Sequence, residues 1–316
     1  MVITASQLLI RFTVFLDKYM RKQKQANERR CNSMGEMTLT SPITEYFISK
    51  ELGRTDCFNL YLCKTKSEQQ CILKIAASME KNGFLDREAI LLGDMRDEAK
   101  RIEAKYDQVK LDPNRSLNYH LCFWDLVETF IAPTQGNRRV NILRYPILDD
   151  LSTLVPIQHI VTRDHLRVDR KTSAWMMGKL LKFLVFAHSQ GVSLGPHVAG
   201  DNILVERKEH YIVLFDLTEA VMHREGTVPA DIAREEISKA AQEVICVLGG
   251  DLETEEMPAD EQDPDNHYAR YMFLLARGSE CDAKQAHTRF YELVRSLWPR
   301  SEYWQFTSYP LERRES

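Results

Sequence analysis

Ala187-His188-Ser189-Gln190-Gly191-Val192, then Asp201-Asn202-Ile203-Leu204-Val205, then Val213-Leu214-Phe215-Asp216, is the stretch on which the fold turns. The first piece closes a helix. Over residues 172–189, Ala174, Met177, Leu181, Leu184 and His188 recur at three- and four-residue spacing, and Trp175, Leu180 and Val185 widen the apolar stripe. The other two pieces belong to short β-rich runs, 203–206 and 211–215, separated by the polar turn 207–210. Taken alone, Asn202 is a turn residue and Asp216 a strand-end cap.

Outward from there the chain divides in two. Residues 46–52, 58–64 and 70–75 are short, β-rich and separated by polar turns, which predicts a three-strand meander. A helical segment spans about 85–109, with Arg96 and Lys100 among acidic neighbours, and Pro113 and Asn114 stop it. Two more strands fit 121–131 and 138–145, joined by the turn-rich 133–137, and 146–150 reads as a connector. Beyond it the pattern is mostly helical, with further helices at 236–248, stopped by Gly249-Gly250, and at 286–297. The predicted organisation is an extension over 1–40, a strand-rich lobe over 41–148 and a helix-rich lobe over 149–316.

This order resembles the protein kinase fold: an α+β, bilobal architecture with a five-stranded antiparallel N-lobe carrying helix C, and a mainly helical C-lobe. Cys71-Ile72-Leu73-Lys74-Ile75 looks like the third-strand VAIK segment, and Glu88, fourteen residues on, falls where the helix-C glutamate would meet that lysine. The opening stretch is similar to the kinase run AHSxGVxHRDLKPxNILV followed by DFG. The resemblance implies ATP bound through Lys74, Glu88, Gly53 and Phe58, and magnesium held by Asn202 and Asp216, whose oxygens suit a hard cation. Arg138 to Arg144, Val247 to Asp251, and Phe290 to Leu293 through Leu297-Trp298-Pro299-Arg300 also resemble a group of bacterial Ser/Thr-kinase-like proteins with degenerate catalytic loops.

The pattern fails in three places. Counting back from Asn202, the position of the catalytic-loop aspartate holds His197, or Pro196 if one residue is inserted, and the assisting lysine is Ala199. A missing positioned base removes on the order of a hundred- to ten-thousand-fold in rate. His197 is a candidate substitute base because imidazole titrates near neutrality, the alternative being a histidine satisfied by backbone; Asp201 is expected to face solvent. The glycine-rich loop, Gly53-Arg54-Thr55-Asp56-Cys57-Phe58, keeps its first glycine only, with Phe58 expected to cap the site as an apolar lid, and DFG is Asp216-Leu217-Thr218. Only about twenty residues separate Asp216 from Glu236, which stands at the place of the helix-F aspartate, and there is no APE motif. Three functions remain open: a pseudokinase that binds ATP and acts as a regulatory scaffold, an atypical phosphotransferase using His197 or water as base, and an interaction module without nucleotide.

Composition fits a globular chain: 44% apolar and 28% charged residues over 316 positions. A formal net charge of -4 argues against nucleic acid as a partner, leaving a nucleotide and a protein partner. Seven cysteines without zinc or CxxC spacing predict reduced thiols and a cytoplasmic location. Leu8 to Leu16 is apolar but too short to span a bilayer, and Arg11 interrupts it. With the basic run Lys18, Arg21, Lys22, Lys24, Arg29 and Arg30 it reads as an amphipathic helix for a membrane surface or partner, or as a frayed extension.

Overall fold

In the computed structural model, the described residues are 37–111, 117–195, 198–207 and 210–298. The N-terminal lobe is built on β1 (Met37–Thr40), β2 (Glu45–Arg54), β3 (Phe58–Lys64), β4 (Gln70–Ala76), β5 (Asp125–Ala132) and β6 (Arg138–Arg144). They form one antiparallel sheet in the order β1-β2-β3-β4-β6-β5. The sheet has six strands where five were expected. The added strand is the end of the segment assigned to the extension: Met37 to Thr40 pair with Ile48 to Glu45, and Leu39 is buried in the same cluster as Tyr46. The basic and apolar part of that extension lies outside the described residues.

β4 is the centre of this lobe and is buried on both faces, which is why its sequence runs apolar rather than alternating. Cys71, Leu73 and Ile75 join Tyr46, Cys63, Phe130, Val140 and Ile142 on one face. Ile72 packs with Leu91, Leu92 and Met95 on the other face, and Ala76 with Phe58 and Leu85. Lys74 shares that second face, since strand side chains alternate. The facing helix, α1 (Asn82–Val109), presents Leu85, Glu88, Leu92, Met95 and Ala99 as its buried stripe. A carboxylate in an apolar helix stripe and an ammonium on an apolar strand are each unstable alone, and the fold sets them against each other. The strand expected over 121–131 begins only at Asp125. Phe123 and Trp124 are buried in succession and Leu121 and Cys122 form a short 3-10 turn, so alternation starts late.

Past the connector come β7 (Leu154–Pro156), α2 (His159–Thr162), α3 (Arg170–Ser189), β8 (Val192–Ser193), β9 (Ile203–Glu206), β10 (Tyr211–Leu214), β11 (Val221–Met222), α4 (Ala230–Leu248), α5 (His267–Ala276) and α6 (Ala283–Leu297). α3 is the spine, packed between α4 and α6, and its start is capped by Asp169 accepting from the Thr172 amide at 2.8 Å. α5 was not legible from periodicity. β9 pairs with both β10 and β7, the last a strand the sequence did not reveal. No helix among the described residues is long and apolar enough to cross a membrane.

Candidate functional site

The junction of the lobes is organised around one ammonium. Lys74 has no solvent exposure, and its Nζ donates to Glu88 Oε1 at 2.5 Å and to Asp216 Oδ1 at 2.9 Å. Burial disfavours this charge, but the Glu88 and Asp216 carboxylates outweigh it and hold the lysine above its ordinary range. Glu88 is equally inaccessible and is fixed from two further sides: Asn141 Nδ2 donates to Oε2 at 3.2 Å, and the Leu217 amide donates to Oε1 at 3.3 Å. Asn141 lies opposite Lys74 across β4 and β6, and also donates to the Leu85 carbonyl at 2.9 Å. The sequence reading missed Asn141; the available signal was an amide inside the apolar run Val140-Asn141-Ile142-Leu143.

Asn202 and Asp216 meet through the backbone of the aspartate. Asn202 Oδ1 accepts from the Asp216 amide at 2.5 Å while its Nδ2 donates to the Asp216 carbonyl at 3.0 Å. Both ends of the asparagine amide thus hold the backbone of the residue whose carboxylate reaches Lys74. That carboxylate also accepts from the Thr218 amide (3.0 Å) and hydroxyl (2.8 Å), both on Oδ1. Thr218, standing where a glycine would allow freedom, therefore anchors Asp216.

Two aromatic rings close over the ammonium. The Phe58 ring centroid lies 4.2 Å from Lys74 Nζ and the Phe215 centroid 4.9 Å. Phe58 opens β3 directly opposite Ala76, and is itself only 2% exposed. Phe215 stands edge-on to Trp124, with ring centroids 5.5 Å apart. Gly53 does not join the group: it lies at an irregular register step of β2, and a Cβ built there would meet nothing within 4 Å.

Beneath the cluster, Glu236 of α4 holds the turn after β8. Its Oε1 accepts from the amides of Leu194 (2.5 Å) and Gly195 (2.7 Å), and its Oε2 bonds His188 Nε2 at 2.7 Å. The segment after Asp216 is stapled to the same place: β11 pairs with β8, the His223 amide donates to the Gly191 carbonyl at 2.8 Å, and His223 Nε2 lies 2.9 Å from Ser193 Oγ. Gly191 must be glycine, because φ is +67° and a Cβ would stand 2.7 Å from the Gly226 carbonyl carbon. Asp201 is exposed, as expected, and His197 lies outside the described residues.

The residue types suit magnesium and a triphosphate, yet in this arrangement they do not fit them. The ammonium is sealed by Phe58, the Asn202 oxygen is engaged by a backbone amide, and Asp216 Oδ1 already takes three donors. Among the described residues, no cluster of three or more His, Cys, Asp or Glu is placed to hold a metal ion.

No protein-family model matches this chain, and no curated protein matches it in sequence. Solved structures do. The structure of vaccinia related kinase 3 superimposes with a TM-score of 0.56 at 14% identity, covering 87% of this chain and 96% of that one. The BubR1 kinase domain also gives a TM-score of 0.56, at 11% identity, over 83% of this chain and 84% of its own. At such identities the likeness speaks to architecture alone. The chain has the bilobal protein-kinase-like fold.

Proposed function

We propose that this chain is a pseudokinase: a kinase-fold regulatory domain whose nucleotide pocket is held shut by Phe58, and for which ATP is a conformational ligand rather than a phosphoryl donor. The observation that carries the reading is the self-satisfied Lys74–Glu88–Asp216 cluster, with Lys74 wholly buried under the Phe58 ring. Phosphoryl transfer is mostly positioning and charge neutralisation on phosphate oxygens, which requires these groups to face substrate. Here they face each other. The short segment pinned to Gly191 and Ser193 gives a further reason, since it offers no extended platform for a peptide. A ligand that prefers the open pocket would shift the lobe arrangement, and so bias any surface a protein partner reads.

Thermal-shift titration with ATP, with and without magnesium, followed by radiolabelled ATP turnover, tests this. Stabilisation that disappears in Lys74→Met, together with turnover far below the roughly 1–100 per second of protein kinases, is the expected outcome. Turnover in that range would overturn it.

A further inference from the structure

α3 also carries a second charged cluster, built from positive groups. Lys179 Nζ sits over the Trp175 ring at 5.1 Å and the Tyr211 ring at 5.5 Å; Lys182 Nζ sits over the Tyr119 ring at 5.0 Å. From α6, His287, Tyr291 and Arg295 form a stripe at four-residue spacing, tied to α3 by Tyr291 against Gly178 and by the field of Lys182 at His287. Tyr291 packs against Gly178, where a Cβ would be 3.4 Å from its hydroxyl. The His287 ring lies 4.6 Å from the Tyr291 ring, and the Arg295 guanidinium 5.8 Å from it.

The cluster has no ion-paired counter-charge among the described residues. Among the described residues, neither lysine has a carboxylate within ion-pair distance. Glu103, the acidic neighbour of Lys182, is engaged by the His120 amide at 2.9 Å and ring at 2.6 Å. Burial pushes both lysines below the usual lysine range, and Lys182 pushes Lys179 further. His287 is driven down to about 4 by burial, by Lys182 and by Arg295. Half-buried cations without a carboxylate partner are unfavourable. The aromatic faces beneath them offset only part of this cost.

We propose that Lys179 and Lys182, with His287 and Arg295 beside them, form a binding site for a phosphate-type dianion. A tetrahedral dianion matches the group better than a single carboxylate does, offering several acceptor oxygens to two ammonium heads and a guanidinium. The lysine stems and rings hold the heads in place before the ligand arrives, which limits the ordering cost. The site stands on residues that the lobe junction does not use, so it is independent of whether that junction takes nucleotide.

The test uses the full chain and the Lys179→Met/Lys182→Met double variant, which keeps a lysine-length apolar stem and removes only the ammonium. Binding of inorganic phosphate, and of a phosphoserine peptide against its unphosphorylated form, is measured by calorimetry at constant ionic strength. The His287 ring titration is followed by NMR. At least one phosphate probe should bind, about tenfold or more weaker in the double variant. The His287 midpoint should move up toward the ordinary histidine value when that probe is present. Preference for the phosphopeptide over inorganic phosphate would assign the anion to a partner protein; the reverse would assign it to a free metabolite. Equal binding by both proteins, or no binding of either probe, would overturn the proposal.

Discussion

Replacing Lys74 by methionine separates a sealed lobe junction from an open one. Methionine keeps the length and much of the volume of the lysine stem, so the main loss is the ammonium. In the wild type that ammonium pairs with both Glu88, fully buried, and Asp216, whose side chain is 14% exposed. Removing one partner of a buried ion pair costs about 3–5 kcal/mol, because the remaining charge stays desolvated without compensation. At about 2–4 °C per kcal/mol for a domain of this size, Tm should fall by roughly 6–20 °C in the absence of any nucleotide. Had the lysine faced water, the pair would be worth about 1 kcal/mol or less, and the fall would be only a few degrees. Differential scanning fluorimetry checked by circular dichroism is the assay. The double variant Lys74→Met/Glu88→Leu should recover part of the loss, since it removes the stranded carboxylate along with the ammonium. The pH dependence follows from sign. Lys74 is raised in the fold, so its contribution is complete below the ordinary lysine value of about 10.4 and is lost only as pH climbs through the raised one. The part contributed by the Lys74 titration itself should therefore be flat between pH 6 and 9. A Tm change under about 2 °C would refute the sealed junction.

Three other outcomes are expected. Phe58→Ala should lower stability by about 3–5 kcal/mol through lost burial, yet enlarge the ATP-dependent thermal shift relative to wild type; an unchanged shift would show that Phe58 is no gate. Glu236→Gln leaves the Leu194 and Gly195 amides with a neutral acceptor and disturbs the His188 bond. Urea unfolding should report a loss of roughly 1–3 kcal/mol, and protease should cut first in the segment spanning 194–228. His287 is neutral in the fold down to about 4, whereas an unfolded histidine protonates near 6.5. Between those values the unfolded chain binds a proton the fold rejects, so stability falls as pH drops through that window. His287→Gln should flatten this slope in melts recorded from pH 7 to pH 4.

The fold was legible where spacing carried chemistry. Lys74 and Glu88 could be paired from the sequence through the resemblance to the kinase third-strand lysine and helix-C glutamate, a pairing that the need of each buried charge for a partner supports. Asn202 and Asp216 could be placed through the same resemblance, to the catalytic-loop asparagine and the DFG aspartate, at the ends of the short strands that the sequence predicts. Other features depended on tertiary contacts no window contains. The strand at Met37–Thr40 has a weak pattern, and Leu39 is stabilised by the Tyr46 neighbourhood rather than by alternation. Helix His267–Ala276 starts after Asn266 in a left-handed conformation, and is held by the buried Arg170–Asp263 pair across more than ninety residues, with Asp263 accepting from the His267 and Tyr268 amides. Asn141 and Thr218 looked ordinary until Glu88 and Asp216 stood beside them. Phe58 was readable as a lid, but its place over the Lys74 ammonium depends on the antiparallel register that sets it opposite Ala76.

That register has an energetic consequence for any nucleotide. A triphosphate reaching Lys74 must displace a ring that is 2% exposed and must share an ammonium already bonded to two carboxylates. If the open arrangement is populated at about 1–10%, apparent affinity is reduced about ten- to a hundredfold relative to a pocket already open. The same arithmetic gives regulation its lever. A partner that favours the open arrangement would strengthen ATP binding by the factor that ATP strengthens the partner, because the coupling between two sites on one equilibrium is reciprocal. On the pseudokinase reading proposed above, such a lever requires the closed state to be stabilised from within, and the Lys74–Glu88–Asp216 contacts are the groups that would do so.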